Sequence, residues 1–241
     1  MSGRPTPPQR EALLCWASVI LSLAVLALLG RAVPFVGSLV GAAAVAAFLW
    51  APTPLLERRG QDARDGGWRF DRLGTDLLYG LGACAVVLPL FALGFHLFVT
   101  AAPESLRALV TPYTGPAHPL SLRWPDAAAG WLDLGGRVLG NGAVALSEEY
   151  FYRGYLTLRF EERWPPRRSI LGAPLGRAAV LAAALFALGH LLEPAPWRLA
   201  VFFPALLFAW LRARTGTIVG AAICHWLCNV ALLLLERASF G

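Results

Sequence analysis

The sequence predicts an all-α protein, a polytopic transmembrane helix bundle of about seven spans, and three observations carry that expectation. Hydrophobic residues make up 57% of the 241 residues and charged residues only 15%, with a mean hydropathy of +0.57, too apolar for an ordinary soluble domain. The apolar residues run in long blocks near the length needed to cross a bilayer. The basic residues, all arginine apart from histidine, gather in the short blocks between them. A net charge of +6 would suit a nucleic-acid partner only if the arginines formed one basic face. Their placement between spans fits cytoplasmic loops instead and argues against nucleic acid.

Taken in order, the candidate spans are about 12–30, 33–51, 77–100, 131–157, 178–193, 198–212 and 216–235. Arg4 and Arg10 precede the first, but its run is long for a signal core and no small-residue cleavage site follows it, so it reads as a span. The fifth and sixth are short, separated by Pro194 and Pro196, and read as tilted, broken or sheltered. Gly216 opens the seventh. Segments 53–76 and 158–177 read as arginine-bearing polar loops, whereas 101–130 holds only Arg107 and Arg123. Alternation then places the N-terminus, 53–76, 158–177 and the Arg212/Arg214 turn on the cytoplasmic side, with 101–130 and the C-terminus opposite. The pairs Gly37/Gly41, Gly136/Gly140 and Gly216/Gly220 suit close helix packing. No internal repeat of the kind that builds transporters is visible. Residues 1–130 form an N-terminal region of about three spans without a motif, and 131–241 carry the chemistry.

That chemistry lies in polar residues inside apolar spans, where a charged side chain costs at least ~2.5–3.5 kcal/mol near the helix centre. The fourth span contains Glu148, Glu149 and Arg153. Glu149 and Arg153 are four apart and pair along one helix face, which leaves Glu148 turned by about 100° toward a different partner. A helix-end salt bridge explains one glutamate and not the second. The fifth span carries Phe186 and His190, the seventh His225 and Asn229. A membrane histidine is often a plain interhelical hydrogen-bonder. Counted from the expected cytoplasmic helix ends, however, Glu148, His190 and His225 lie roughly 15, 18 and 14 Å deep at about 1.5 Å per residue. Three helices thus bring polar groups to one layer.

A carboxylate and an imidazole hold a water and draw off its proton, and a histidine with an asparagine on the same face supplies donors for an oxyanion. Such a set hydrolyses a carbonyl without a covalent nucleophile. No His-Glu-x-x-His helix, Gly-x-Ser-x-Gly elbow or mid-span aspartate is present; Asp133 sits at the mouth of the fourth span, and Ser147 reads as packing. Cys15, Cys84, Cys224 and Cys228 all fall in apolar blocks and imply no disulfide framework. Cys224 and Cys228 flank His225 without a CxxC spacing, which argues against structural zinc. Two histidines with two glutamates keep a zinc-dependent protease as the mechanistic rival.

At these residues the sequence resembles the CPBP family of intramembrane peptidases, related to CAAX prenyl endopeptidases and to bacteriocin-processing or immunity proteins. The matches, in the family's order, are Glu148-Glu149-Tyr-Phe-Tyr-Arg153, Phe186-Ala-Leu-Gly-His190 and His225-Trp-Leu-Cys-Asn229. The resemblance covers about 140–235 and implies a glutamic-type, metal-independent endopeptidase without a cofactor. In it Glu148 and His190 activate water, His225 and Asn229 form the oxyanion hole, and Glu149, Arg153 and Phe186 orient the site. The implied partners are a membrane-anchored protein or peptide substrate and the lipid bilayer, in the inner membrane of a bacterium. Processing or sorting of C-terminal anchors of exported proteins is one role open to such enzymes; peptide maturation and bacteriocin immunity are others. A non-enzymatic immunity or scaffold protein, or a small-solute transporter, is the competing class.

Overall fold

The computed structural model describes residues 6–110, 124–193 and 195–240. Arg4, Arg123 and Pro194, named above, lie outside the described residues. The described residues are mostly helical, and their one short β-hairpin pairs β1 (Arg168–Ile170) antiparallel with β2 (Ala173–Leu175).

Helix α1 (Pro8–Ala32) turns at Val33 into α2 (Pro34–Trp50). Pro34 suits a first helical position, where its missing N–H costs nothing. The two helices come together so tightly that a Cβ on Gly30 would lie 2.7 Å from the Gly37 Cα. A single turn, α3 (Thr53–Glu57), leads to α4 (Leu73–Ala101), and α5 (Glu104–Val110) follows. Helix α6 (Ala128–Glu149) passes without a break through a π-helical turn (Tyr150–Leu156) into α7 (Thr157–Arg163). The fourth expected span therefore does not end near 157. Residues 158–177, expected as loop, carry the last helical turns and the hairpin.

Helices α8 (Arg177–Gly189) and α9 (Phe202–Thr215) form a second helical hairpin whose tip consists of two 3₁₀ turns, His190–Leu192 and Pro196–Val201. Helix α9 stops at Gly216, which takes φ +77° and donates its N–H to the Arg212 carbonyl at 2.8 Å, a left-handed conformation that glycine adopts without steric cost. Helix α10 (Val219–Phe240) completes the bundle.

Four helical stretches are long and apolar enough to cross a membrane: Pro8–Ala32, Pro34–Glu57, Leu73–Ala101 and Val219–Ser239. The stretch Arg177–Leu192 is apolar but shorter. The chain is thus an all-α, integral membrane protein in which the first, second, third and seventh expected spans meet this measure, whereas the fourth, fifth and sixth are helical without meeting it.

The segments expected on the cytoplasmic side meet at one end of the molecule. Arg59 pairs with Glu11 at 3.0 Å, Arg159 donates to Gln61, and Arg212 pairs with Glu161 at 2.9 Å. The Ile218 N–H donates to the Gly67 carbonyl at 2.9 Å, and Arg69 and Arg72 donate to the carbonyls of Gly216 and Thr215. The core joins both halves of the chain. Leu23 and Phe48 of α1 and α2 share one buried cluster with Phe151, Phe186 and Ile218.

Only part of the expected glycine packing is realised. A Cβ on Gly41, Gly136 or Gly140 would meet nothing within 4 Å. The close contact falls instead between α4 and α10, where a Cβ on Gly80 would stand 2.7 Å from the Gly220 carbonyl oxygen. Beside it, buried Asp76 accepts from Thr217 Oγ1 at 2.5 Å, and Thr217 caps the Val219 N–H at 3.2 Å. This pins the start of α10 against α4.

Gly80→Ala should therefore destabilise the detergent-solubilised protein by about 1–3 kcal/mol, the usual cost of overpacking. Gly82→Ala, two positions along α4 with open space around it, should leave the thermal midpoint unchanged or raise it slightly, since alanine favours helix. Equal midpoints for the two variants would refute the Gly80–Gly220 contact as a packing constraint.

Candidate active site

The π-helical turn sets the geometry of the site. All seven of its residues, Tyr150–Leu156, are buried. The Thr157 N–H and hydroxyl both turn back to the Tyr152 carbonyl, the hydroxyl at 2.8 Å, which gives this wider turn the extra donor it needs. Glu149, at the end of α6, and Arg153, within the turn, form an ion pair at 2.9 Å with side chains 0% and 1% exposed. Arg153 also donates to the Ala205 carbonyl on α9 at 3.1 Å. Its guanidinium lies over the rings of Phe186 on α8 and Phe208 on α9, 4.5 and 5.3 Å from their centroids.

Glu149 holds a second partner. The same Oε1 receives His225 Nδ1 of α10 at 2.9 Å. Because a carboxylate paired with arginine accepts, Nδ1 carries the hydrogen, and Nε2 is the ring atom left to meet other groups. Nε2 stands 3.6 Å from Glu148 Oε2. The His225 ring stacks on Phe208, centroids 4.6 Å apart and planes 17° apart, and meets the Phe186 ring edge-on at 5.7 Å. Its helix is tied to α6 by the neighbouring Trp226, whose Nε1 donates to the Val138 carbonyl at 2.7 Å.

His190 sits where α8 tightens into the 3₁₀ turn. Its Nδ1 donates to the Phe186 carbonyl at 2.9 Å, and its ring leans on the Phe186 ring at 4.5 Å. This bond again leaves Nε2 with its lone pair available.

Glu148, His190, His225 and Asn229 together line a cavity of about 500 Å³. The wall continues along Val144, Asn141, Gly140 and Arg137 of α6 and Leu232, Leu233 and Glu236 of α10, with Arg198 at the hairpin tip. Glu149, Arg153 and Phe186 are not part of the lining but stand behind it. The spacing-based expectation that the two glutamates face different partners agrees with this: Glu149 points into the protein and Glu148 into the cavity.

Ser147 donates to the Val144 carbonyl at 2.9 Å, and Asp133 pairs with Arg137 at an exposed position. The four cysteines are free thiols, and among the described residues no group of three or more His, Cys, Asp or Glu is arranged to hold a metal ion. Phe208, Ala205, Trp226 and the Asp76–Thr217 contact escaped the sequence reading. Trp226, next to His225, is the one that adjacency could have flagged; an aromatic ring or an alanine carbonyl within an apolar helix carries no mark of its own.

No curated protein and no solved structure matches the chain. The family model described as Rce1-like, type II CAAX prenyl endopeptidase Rce1-like, matches residues 133–231. That stretch contains Glu148, Glu149, Arg153, Phe186, His190, His225 and Asn229, and none of the first four helices. Over the segment that builds the cavity, the chain is thus similar to the Rce1-like type II CAAX prenyl endopeptidases.

Proposed function

We propose that the protein is an intramembrane endopeptidase that hydrolyses a peptide bond of a membrane-anchored protein with a water activated by Glu148 and His190. The observation that supports this best is the shared cavity wall: Glu148, His190, His225 and Asn229 face one space, while the Glu149–Arg153 pair fixes His225 from behind. Glu148 is the general base, and His190, with Nδ1 committed to the Phe186 carbonyl, offers Nε2 to the same water. As the water's oxygen adds to the carbonyl carbon, Glu148 takes the proton and the carbonyl oxygen becomes an oxyanion. Asn229 and His225, the latter held through Nδ1 by Glu149, form the oxyanion hole. Collapse of the tetrahedral species breaks the C–N bond, and the proton held by Glu148 passes to the leaving amine.

Glu149 and Arg153 are positioning residues in this scheme. We read the reaction as metal-independent: Glu149 Oε1 is engaged by both Arg153 and His225, which fits a positioning residue better than a metal ligand.

The two glutamates separate in their consequences. Glu148→Gln keeps the shape of the site and removes the base, so accumulation of uncleaved precursor in the membrane proteome should reflect a rate fall of about 10²–10⁴-fold, with an unchanged thermal midpoint. Glu149→Gln strands a buried guanidinium and should cost about 3–5 kcal/mol of stability. The double variant Glu149→Gln, Arg153→Met should recover much of that loss without recovering activity. A Glu148→Gln protein that cleaves normally, beside a folded but inactive Glu149→Gln protein, reverses the two roles.

Hydrolysis by the purified protein in detergent should survive a strong chelator. Loss of activity on chelation and its return with added zinc would replace the glutamate mechanism by a zinc-dependent one.

A further inference from the structure

The first two membrane spans enclose a cleft that takes no part in the site described above. Helices α1 and α2 form an antiparallel hairpin and meet most closely at Gly30 and Gly37, beside the turn. Toward their other ends lies a cavity of about 430 Å³, lined by Glu11, Leu14, Cys15 and Val19 of α1 and by Leu55 and Arg58 at α3.

The lining changes character along its length. Arg58 and Glu11 stand where the two apolar stretches end: the span Pro34–Glu57 stops one residue before Arg58, and the other begins at Pro8. Away from that end the walls are apolar. Leu55 is about one turn back from Arg58, and Leu14 and Val19 are about one and two turns past Glu11. Cys15 and Val19, 8% and 7% exposed, form the floor, while Leu14 at the rim is 55% exposed. A cleft of this kind fits an amphiphile with its polar end at Arg58.

The charges decide the polar group. Glu11 is satisfied within the protein, by Arg59 at 3.0 Å, Arg159 at 3.4 Å and the Tyr155 hydroxyl at 3.4 Å. Arg59 is further committed to the Thr6 carbonyl at 2.8 Å. The guanidinium of Arg58, by contrast, has no hydrogen-bond or ion-pair partner among the described residues. A guanidinium presents a fork that matches phosphate oxygens, and basic groups at the ends of membrane spans attract anionic lipid headgroups.

We propose that this cleft binds one anionic glycerophospholipid, with its phosphate on Arg58 and the first methylenes of an acyl chain along Leu14, Val19 and Leu55. The lipid bridges the start of α1 to the end of the second span and stabilises the N-terminal hairpin, because a ligand held only by the folded protein raises its stability by mass action.

The test needs no proteolysis, so it stands apart from the outcome of any cleavage assay. The purified, delipidated full chain in a non-ionic detergent is titrated with dioleoylphosphatidylglycerol. The thermal midpoint is followed, and native mass spectrometry counts the lipids retained. The wild-type chain should show a saturable rise and retain one lipid. Arg58→Gln should begin from the same midpoint and bind about fivefold more weakly, as expected for one cation lost near a headgroup. Ser18→Trp, which fills the cleft wall, should abolish the rise; Leu14→Trp replaces it if that variant does not fold. Arg64→Gln, at an exposed loop position outside the cleft, should bind like wild type. Dioleoylphosphatidylcholine and free glycerol 3-phosphate separate anionic lipid from lipid or phosphate alone, and each should bind at least about fivefold more weakly. The proposal is overturned if the wild-type chain shows no saturable rise, or if Arg58→Gln or the tryptophan variant binds as wild type does. It is equally overturned if Arg64→Gln weakens binding as much as Arg58→Gln, or if either control ligand matches phosphatidylglycerol.

Discussion

The buried guanidinium of Arg153 is the constraint around which this structure is arranged. A charge so placed is costly in a membrane protein unless it is paired and hydrogen-bonded, and its partners come from three helices. Glu149 is one turn back on the same helix, the Ala205 carbonyl is on α9, and the two rings above and below it belong to α8 and α9. Through Glu149 the arrangement also captures His225 of α10. One side chain thus decides how four helical segments meet. The satisfaction is incomplete: Glu149 Oε2 and Arg153 Nε are buried without a hydrogen-bond partner, each at a cost of about 1–3 kcal/mol. A bundle shaped only for stability would have placed apolar residues there. Retaining the pair makes sense for a site in which His225 must present one chosen ring atom to the cavity.

How far the sequence revealed this can be judged residue by residue. The first, second, third and seventh spans were legible because apolar length is a strong signal where lipid allows only helix, and arginine alternation grouped the segments that meet at one end. The i,i+4 spacing of Glu149 and Arg153 and the separate orientation of Glu148 were legible because helix geometry fixes them. The π-helical turn was not, since a single wider turn leaves no periodicity behind it, and Tyr150–Leu156 is buried on all sides, so it has no polar face to reveal its phase. The residues around His225 were hidden for a related reason. Phe208 and Ala205 act through a ring face and a backbone carbonyl, properties any apolar helix offers. The glycine pairs failed as a guide because spacing within one helix says nothing of what stands opposite: Gly136 and Gly140 face open space, and Gly80 meets Gly220.

The tip of the α8–α9 hairpin links the fold to the site. Its tip consists of short 3₁₀ turns around Glu193 and Ala195, so its backbone groups lack the full pairing of a continuous helix. Hydrocarbon cannot supply the missing partners, and non-helical backbone at membrane depth is tolerated only within protein or against a water-filled space. Gly189, just before the tip, lies so close to Ile20 of α1 and the Tyr152 hydroxyl of the π-helical turn that a Cβ there would stand 3.3 and 2.8 Å from them; His190 and Arg198 border the cavity. The non-helical tip is thus accommodated partly by packing and partly by the cavity that Glu148 also lines.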